Sequence, residues 1–340
     1  MMRTSDFDYH LPLERIAQTP IEPRHNSRLL VMDRGQNSLT DAHFYDIGKY
    51  LNPGDLLVIN QTRVIPARLF ARKQTGGRVE LLLLKQVEPG VWEALVGGKG
   101  LRKGVRVCVE NGPEVEIIGE LEGSERLIRF LQPVENLLPQ IGEMPLPPYI
   151  HEHLANPERY QTVYARETGS AAAPTAGLHF TPELMDQLQK NGINFARVTL
   201  HVGLDTFAPV TEEDPLEHKI HTEWCEITPE TASLINKTKD NGNRVVAVGT
   251  TSVRTLESAA SASLIDGRVA PYRGSTGLFI LPGYQFKVVD AMVTNFHLPK
   301  STLLMLVSAF AGRNRILEAY RIAIEREYRF YSFGDAMLIL

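Results

Sequence analysis

The segment Arg166-Glu-Thr-Gly-Ser-Ala-Ala-Ala-Pro-Thr-Ala-Gly-Leu-His-Phe-Thr181 consists almost entirely of small residues. It has no apolar period of 2 or 3.6, so we expect a loop rather than a helix or strand. Thr181 and Pro182 then predict a helix start. Small residues let a backbone approach a ligand closely, and a helix N-terminus favours a charged or polar ligand head. The segment therefore predicts a ligand site; the alternative, a surface loop, has no need of Leu178 and Phe180.

Length, charge and cysteine usage restrict the class of protein. A chain of 340 residues can form one large domain or two smaller ones with ample core. A net charge of −4 is not the basic footprint of a general nucleic-acid binder. Cys108 and Cys225 lie far apart, which suits a reducing compartment. Without a signal peptide or an apolar run of membrane-spanning length, a cytoplasmic protein with no membrane contact is expected.

A change in the sequence pattern, from alternating strands and helices to strands alone, marks an inserted domain. From about Arg68 to Leu131, short runs rich in β-formers are separated by Gly-containing turns, a pattern typical of a small all-β sandwich or barrel. The flanking regions alternate strand and helix patterns. We therefore predict an α/β fold in which residues 1–66 and 150–340 form a barrel-like main domain and residues 67–149 form the all-β insertion. Within the first part, Thr40-Asp41 predicts a helix reaching about Leu51.

Polar clusters follow four apolar runs that are predicted strands. The clusters are Asn60/Thr62/Arg63, His201, Gly249–Thr251 and Asn295/His297. In α/β folds, barrel or open, ligands bind at the carboxyl ends of strands. The clusters should therefore converge on one rim beneath the 169–180 loop. A satisfied loop polar group is the simpler explanation of any one residue, but it explains four clusters less well.

Several familiar motifs are absent or incomplete. No strand is followed by GxGxxG, no GxSxG turn occurs, and residues 97–104 lack the order of a phosphate-binding loop. His218 and His221 with Cys225 match no usual zinc spacing, and neither do His151 and His153. Structural or substrate contacts are the better explanation, so no metal site is predicted.

Seven segments resemble one known family over essentially the whole chain. They begin at Phe7, Pro23, Asn60, Glu167, Leu200, Val248 and Thr294 and read FDYHLP, PRHNSRL, NQTRV, ETGSAAAPTAGLHF, LHVGLDTF, VGTTSVRTLE and TNFHLPKS. The chain resembles the S-adenosylmethionine:tRNA ribosyltransferase-isomerase (QueA) family of queuosine biosynthesis. The resemblance implies an α/β barrel with an inserted all-β domain. It further implies transfer and isomerisation of the ribosyl group of S-adenosylmethionine onto 7-aminomethyl-7-deazaguanine at the wobble position of tRNA. Epoxyqueuosine, adenine and methionine would be the products, with S-adenosylmethionine a co-substrate and no metal or redox cofactor.

That chemistry needs a base for the proton beside the sulfonium, and neutral imidazole suits this task near pH 7. His179 or His297 is the first hypothesis for the base, and His201 is the lesser candidate. The other hypotheses concern substrate contacts. Candidates for holding S-adenosylmethionine or tRNA are Arg24, Arg28, Arg166, Gly169, Ser170, Thr175, Gly177, Gly249, Thr250, Thr251 and Arg254, with Glu257 orienting Arg254. Asn60, Thr62, Arg63 and Asn295 are expected to line the rim.

The exposed basic tip at Lys99, Arg102 and Lys103 is predicted to contact phosphates of the tRNA anticodon arm, in a monomeric protein. Two rival classes stay open. A tRNA base-exchange transglycosylase would need a rim aspartate and usually zinc. A non-catalytic RNA-binding protein would bind RNA without consuming S-adenosylmethionine.

Overall fold

The computed structural model describes residues 2–203 and 209–340, which form two compact units. The larger unit contains the chain up to Thr62, Pro147–Glu167 and Pro174–Leu340. The smaller unit contains Arg63–Leu146 and Thr168–Ala173. No helix among the described residues is both long and apolar enough to cross a membrane.

Strands and helices are numbered separately in chain order. The strands are β1 (Arg28–Asp33), β2 (Ser38–His43), β3 (Leu56–Asn60), β4 (Thr62–Val64), β5 (Arg68–Lys73), β6 (Arg78–Glu88), β7 (Val91–Gly97), β8 (Arg106–Val109), β9 (Glu114–Glu120), β10 (Glu125–Phe130), β11 (Gly142–Glu143), β12 (Glu167–Ser170), β13 (Asn194–Leu200), β14 (Glu223–Ile227), β15 (Val245–Val248), β16 (Tyr272–Thr276), β17 (Ala291–Asn295) and β18 (Ala336–Ile339). The α-helices are α1 (Leu138–Ile141), α2 (Pro182–Lys190), α3 (Pro229–Asp240), α4 (Thr250–Ser261), α5 (Thr302–Ala311) and α6 (Arg313–Glu325). Short 3₁₀ helices include Arg24–Asn26, Phe44–Tyr50, Pro157–Tyr160 and Thr175–His179.

The larger unit is built on a nine-stranded sheet in the order β16-β14-β13-β3-β15-β17-β18-β1-β2. Its centre, β13-β3-β15-β17, is parallel, and the register places Val198 beside Asn60 and Val248 beside both Ile59 and Val293. These strands are short apolar runs because both of their faces are covered. Their carboxyl ends consequently lie along one edge of the sheet.

Strands from both chain ends extend that edge. β18 runs antiparallel to β17 and pairs Ala336 with Asn295, while β1 runs parallel to β18 and pairs Leu29 with Ala336. The amino ends of β18 and β1 therefore lie beside the carboxyl end of β17. β14 is antiparallel to β13, with Cys225 beside Leu200, so its amino end reaches the same edge.

Each face of the sheet has its own hydrophobic core. On one face Leu56, Val58 and Val245 pack with residues of α3 to α6. On the other face Leu57, Ile59 and Val246 pack with Phe44, Phe180 and Leu184. The second core brings the 3₁₀ helix Thr175–His179 and the start of α2 against the sheet. The small-residue segment is thereby fixed next to the strand ends.

The smaller unit contains a closed six-stranded barrel. Its strands pair in the order β5-β6-β7-β10-β9-β8, and β8 pairs again with β5. The interior is filled by alternate apolar residues such as Leu81, Trp92, Val107 and Ile128. The prediction of a small all-β element is confirmed in this form.

The fold differs from the expectation in three places. The mixed α/β class with a large sheet is confirmed. The predicted barrel-like closure of the main domain is not found: among the described residues the two edge strands, β16 and β2, do not pair with each other, so the nine-stranded sheet stays open. The helix predicted from Thr40 is wrong, because Ser38–His43 is a strand and only Phe44–Tyr50 is helical, as a 3₁₀ helix. The C-terminal strand β18 was not predicted, although it lies inside the sheet.

Candidate active site

His179 lies at the centre of a buried hydrogen-bond network at the carboxyl edge. Its Nε2 is 3.2 Å from Asn295 Nδ2, and its Nδ1 is 2.7 Å from Ser27 Oγ. The Asn295 amide also donates to the Tyr331 carbonyl (3.1 Å), and its Oδ1 accepts a bond from the Thr175 hydroxyl (3.1 Å). Nε2 is therefore the acceptor, and Nδ1–H donates to Ser27. The predicted convergence of the segment on the end of β17 is present, and both ring nitrogens of His179 are already bonded to protein.

The N-terminus of α4 is the second polar feature of this edge. Gly249 caps the helix with φ 88°, a left-handed value that favours glycine, and no side chain caps the first amides. A Cβ at Gly249 would lie 3.6 Å from both Ala176 Cβ and Thr251 Oγ1. The Thr251 hydroxyl is buried and has no hydrogen-bond partner among the described residues. Uncapped amides and an unbonded hydroxyl together form a site suited to an anion.

Arg254 lies one turn further along α4 and is 6% exposed. It forms a short ion pair with Glu223, at the amino end of β14, and donates from Nε to the Leu278 carbonyl (3.1 Å). Its remaining nitrogen, Nη2, is buried and has no hydrogen-bond partner within residues 2–203 and 209–340. The prediction that Glu257 orients Arg254 is wrong. Glu257 is fully buried and accepts bonds from Tyr284 Oη and from the amides of residues 287–289.

His201, just past the end of β13, is only partly buried. Its Nδ1 lies 2.8 Å from Thr62 Oγ1, and its ring stacks on Trp224 with centroids 5.3 Å apart. When the Thr62 hydroxyl donates to the Glu167 carbonyl, which lies 3.4 Å away, it accepts the Nδ1 proton. The lone pair of Nε2 is then available. Within residues 2–203 and 209–340 no hydrogen-bond partner of Nε2 is found.

His297 is buried, with 8% of its surface exposed. Its Nε2 lies 2.7 Å from the Thr294 hydroxyl, its backbone amide donates to Tyr320 Oη, and its carbonyl accepts from Tyr9 Oη. The residue connects β17 to an aromatic cluster that includes Phe296 and Phe330. These contacts are those of a structural histidine.

Burial separates the three histidines by basicity. It lowers the pKa of His179 to about 3, with the positive charges of Arg329 and Arg24 acting in the same direction. Burial alone lowers the pKa of His297 to about 3. The pKa of His201 is also lowered by burial, but Glu167 opposes the shift. All three imidazoles are neutral at pH 7, and His179 and His297 are the weaker bases.

The two deeply buried histidines predict acid sensitivity. Both have folded-state pKa values near 3 and an ordinary value of 6.5, so below pH 6.5 the unfolded chain binds protons that the folded chain does not. Stability is therefore full above pH 6.5 and falls as the pH drops, by roughly 1.4 kcal/mol per pH unit per histidine. Thermal unfolding between pH 7 and 5 measures this. A flat melting temperature over that range would contradict the prediction.

Other predicted site residues are held by protein contacts. Asn60 joins β3 to β13 through the Leu200 carbonyl (2.9 Å) and amide (3.0 Å). Arg24 donates to the carbonyls of Gln161 (2.6 Å) and Glu158 (3.0 Å). Arg28 donates to the Arg326 carbonyl and to Asp41, and lies over the Tyr328 ring. For Arg24 and Arg28 these contacts are structural. Arg166 is exposed at the start of the small-residue segment.

Three further candidates belong to the smaller unit. They are Arg63, Gly169 and Ser170, of which Ser170 is buried and donates to the Ala172 carbonyl at 2.7 Å. Lys99, Arg102 and Lys103 also lie in this unit, in the loop between β7 and β8. All three of these cations are exposed, as the prediction of a basic tip requires.

Gly177 is fixed by its neighbours. A Cβ there would overlap the Tyr164 hydroxyl and lie 2.9 Å from both Tyr164 Cζ and Thr162 Cγ2. We expect Gly177→Ala to destabilise the fold by about 1–3 kcal/mol because the site is already filled. Tyr164→Phe removes the closest atom and should recover part of the loss in the double variant. Urea unfolding of the two single variants and the double variant measures the coupling. Strict additivity would contradict this contact.

The sequence pattern does not identify several residues of this edge. Ser27, Glu223 and Trp224 contact predicted residues, but they follow no strand-end pattern, since they lie at the amino ends of strands or just beside them. Tyr164 and Thr162 lie before the small-residue segment. An antiparallel strand that brings its amino end to this edge could be found only from the pairing of β14 with β13.

Within the part of the chain that the structure describes, no three His, Cys, Asp or Glu residues lie close enough to hold a metal ion. His218 instead bonds Glu212 (2.9 Å) and packs against Phe279. Part of the 200–207 motif, Leu204–Phe207, lies outside the described residues.

Fold and site define an α/β protein with a polar ligand site at the carboxyl edge of its parallel strands. The sequence model of the family described as "Queuosine biosynthesis protein" matches residues 4–339, and the chain belongs to that family.

Relatives named S-adenosylmethionine:tRNA ribosyltransferase-isomerase match over the full length of both chains. Those of Symbiobacterium thermophilum and Carboxydothermus hydrogenoformans are 58% and 57% identical. A crystal structure of S-adenosylmethionine tRNA ribosyltransferase from Thermotoga maritima is 42% identical and has a TM-score of 0.58, covering 99% of this chain and 100% of that one.

Proposed function

We propose that this protein transfers and isomerises the ribosyl moiety of S-adenosylmethionine onto 7-aminomethyl-7-deazaguanine at the wobble position of tRNA. Epoxyqueuosine-tRNA, adenine and methionine are the products. The observation that carries the proposal is the convergence of Thr175, His179, Gly249 and Asn295 at one sheet edge, in a chain whose full-length relatives bear the name of this activity. The insertion of an all-β domain into the α/β chain, implied by the resemblance, belongs to the same proposal.

The N-terminus of α4 is proposed to hold the methionine carboxylate. The first amides of the helix and Thr251 Oγ1 can donate to its oxygens, and Arg254 Nη2 is a further unbonded donor. Glu223 keeps Arg254 in place from the other side. A carboxylate would give a partner to Thr251 Oγ1 and Arg254 Nη2, which are buried and have none in the described part of the chain.

His201 is proposed as the base that removes the proton beside the sulfonium. It is the one histidine of the three whose Nε2 lone pair is unbonded in the described structure, and it is partly exposed. In the tautomer whose Nδ1–H donates to Thr62, the Nε2 lone pair points away from this contact. His179 and His297, ranked first from the sequence, have lower basicity and are bonded to buried neighbours. His179 is instead proposed to position Asn295 and the Thr175–His179 helix.

The adduct forms when the uncharged aminomethyl nitrogen of the RNA attacks the ribosyl fragment. The attacking amine loses one proton as the carbon–nitrogen bond forms. Adenine leaves with the electron pair of its glycosidic bond and takes up a proton, and methionine leaves with the electron pair of the carbon–sulfur bond. S-adenosylmethionine is consumed as a co-substrate, and the proposal includes no metal or redox cofactor. The proposed partner is the anticodon arm of tRNA, and the proposed active form is a monomer.

Neutralising the basic tip tests the RNA contact. The triple variant Lys99→Gln, Arg102→Gln, Lys103→Gln should weaken tRNA binding and flatten the dependence of log affinity on log salt, by about 0.7–0.9 for each phosphate that is no longer neutralised. Folding should be unaffected, because all three side chains are exposed. A matched control neutralises Arg268, Arg321 and Arg326, three exposed or half-exposed cations of the larger unit. Unchanged affinity and slope would contradict the predicted role of the tip.

The reaction itself is tested by incubating the protein with S-adenosylmethionine and an anticodon stem-loop carrying the modified base. We expect one adenine to be released for each RNA molecule that is modified. A base-exchange transglycosylase would release a base from the RNA and leave S-adenosylmethionine intact. A non-catalytic protein would bind the RNA and release nothing. Either result would overturn the proposed function.

A further inference from the structure

Two exposed rings are stacked at the carboxyl end of β2. The rings of His43 and Tyr45 are within 3° of parallel with their centroids 5.0 Å apart, and His25 meets Tyr45 edge-on at 6.3 Å. His43 is exposed, and Tyr45 is 44% exposed. In the part of the chain that the structure describes, no further ring packs on Tyr45. The pair therefore presents a flat aromatic surface on which another planar group can stack.

This aromatic surface is fixed beside the candidate active site. His43 is the last residue of β2 and pairs with the first residue of β1, so the stack extends the carboxyl edge of the sheet. Phe44, which lies between the two stacked residues in the chain, is fully buried and packs on the His179 ring with centroids 5.0 Å apart. His25 Nδ1 lies 2.9 Å from the side-chain oxygen of Thr181, the cap of α2. The end of the small-residue segment thus holds the aromatic residues in place.

The surroundings of the stack are positively charged. Arg329 and Arg24 are close enough to His179 for their charges to contribute to the lowering of its pKa. The two acids of the segment 41–46 are each paired with a cation. Glu183 lies in the first turn of α2, where the helix dipole offsets its charge. A phosphate backbone that follows this edge of the sheet would therefore be attracted to it.

We infer that the His43–Tyr45 stack receives an unpaired base of the anticodon loop, from a nucleotide that adjoins the wobble position. The inference rests on the proposed function, which supplies RNA as the partner, and it adds a recognition surface that the reaction itself does not require. Proteins that recognise RNA loops stack splayed-out bases on aromatic and histidine side chains. When the wobble base enters the active site, the neighbouring base loses a stacking partner, and a ring pair at the same edge of the sheet replaces it.

The first test compares two substitutions of Tyr45. Tyr45→Leu removes the ring and keeps an apolar side chain, whereas Tyr45→Phe keeps the ring and is the matched control. We expect Tyr45→Leu to weaken binding of the modified anticodon stem-loop about 5- to 150-fold, the usual range for one base–aromatic stack, and Tyr45→Phe to bind normally. Because no cation is removed, the slope of log affinity against log salt should equal that of the wild type in both variants. The melting temperature should change little, since the side chain is half-exposed.

The second test uses abasic stem-loops to identify the nucleotide. Two probes each lack one base, on the 5′ or the 3′ side of the wobble position. One of them should bind the wild type and Tyr45→Phe about 5-fold or more weakly than the intact stem-loop does. The same probe should bind Tyr45→Leu as tightly as the intact stem-loop does, because the ring and the base contribute to one contact. His43→Leu, which removes the other ring of the stack, should show part of the loss seen in Tyr45→Leu.

RNA affinity is measured without S-adenosylmethionine, whose own affinity, measured by calorimetry, should be unchanged in every variant. Equal RNA affinity of Tyr45→Leu and Tyr45→Phe would overturn the inference, as would effects of Tyr45→Leu that are independent of both missing bases. Altered self-association of Tyr45→Leu in sedimentation, with normal RNA affinity, would assign the surface to a contact between copies of the chain and would equally overturn it. Wild-type protein that releases no adenine would refute the proposed function, whereas adenine release with equal RNA binding by the two variants would refute the stacking surface alone.

Discussion

Replacing His201 with glutamine is expected to lower kcat by about 10²–10⁴-fold, the usual contribution of a general base. Glutamine can still bond Thr62 and pack on Trp224, so the fold and the affinity for S-adenosylmethionine should be nearly unchanged. The pH profile provides a second readout. The pKa of His201 is lowered from 6.5, so in the wild type kcat should rise with pH through an acidic limb below pH 6.5 and stay level near pH 7. The variant should lose that limb.

Two comparisons make the His201 prediction specific. His10→Gln changes an exposed histidine and should leave kcat unchanged. His179→Gln should reduce stability, because it breaks the bonds to Ser27 and Asn295, yet its folded fraction should retain deuterium exchange at the carbon beside the sulfonium. Wild-type kcat in His201→Gln, or exchange abolished only in His179→Gln, would contradict the assignment of the base.

The second large effect is expected at Glu257. Its carboxylate is fully buried, and each oxygen accepts two bonds: Oε1 from the amides of Val288 and Val289 (both 3.1 Å), and Oε2 from Lys287 N (2.9 Å) and Tyr284 Oη (3.1 Å). In Glu257→Gln one oxygen becomes an NH₂ group that faces two donors. Two bonds to a charged acceptor are removed, at about 1.5–3 kcal/mol each, so we expect a loss of about 3–6 kcal/mol in the free energy of unfolding.

Urea unfolding measures the Glu257 effect directly. Glu318→Gln on the exposed face of α6 is the control, and it should change stability by less than about 0.5 kcal/mol. Since the segment 284–289 leads into β17, loss of its anchor should also displace Asn295. A Glu257→Gln protein as stable as the control would show that these four bonds do not hold the segment.

The positions of the strand ends could be predicted because a buried parallel strand is a short apolar run and its carboxyl end is marked by the first polar residues. Gly249 and Asn295 were found in this way. Partners across the sheet could not be predicted. The spacing of Arg254 and Glu257 allows an ion pair on a helix, but the rotation of α4 turns Glu257 toward the 284–289 segment. Glu223, the true partner, is supplied by a distant antiparallel strand.

The histidine ranking shows a similar limit. His179 lies in the most unusual segment of the sequence, which favours it as the base. The sequence does not show, however, that the side chain is buried or that both of its ring nitrogens are already hydrogen-bonded. The C-terminal strand β18 was missed for a different reason. Its four residues are too few for a period of 2 to be recognised, and only pairing with β17 and β1 identifies them.

The central claim is that separate strand ends form one pocket that holds S-adenosylmethionine for reaction at His201. A crystal structure with S-adenosylhomocysteine, which lacks the sulfonium charge and cannot react, tests it most directly. The prediction places the carboxylate of the ligand within hydrogen-bond distance of the Thr250 and Thr251 amides and its ribose beside His201 Nε2. A ligand bound away from residues 175–179, 201 and 249–251 would contradict the claim.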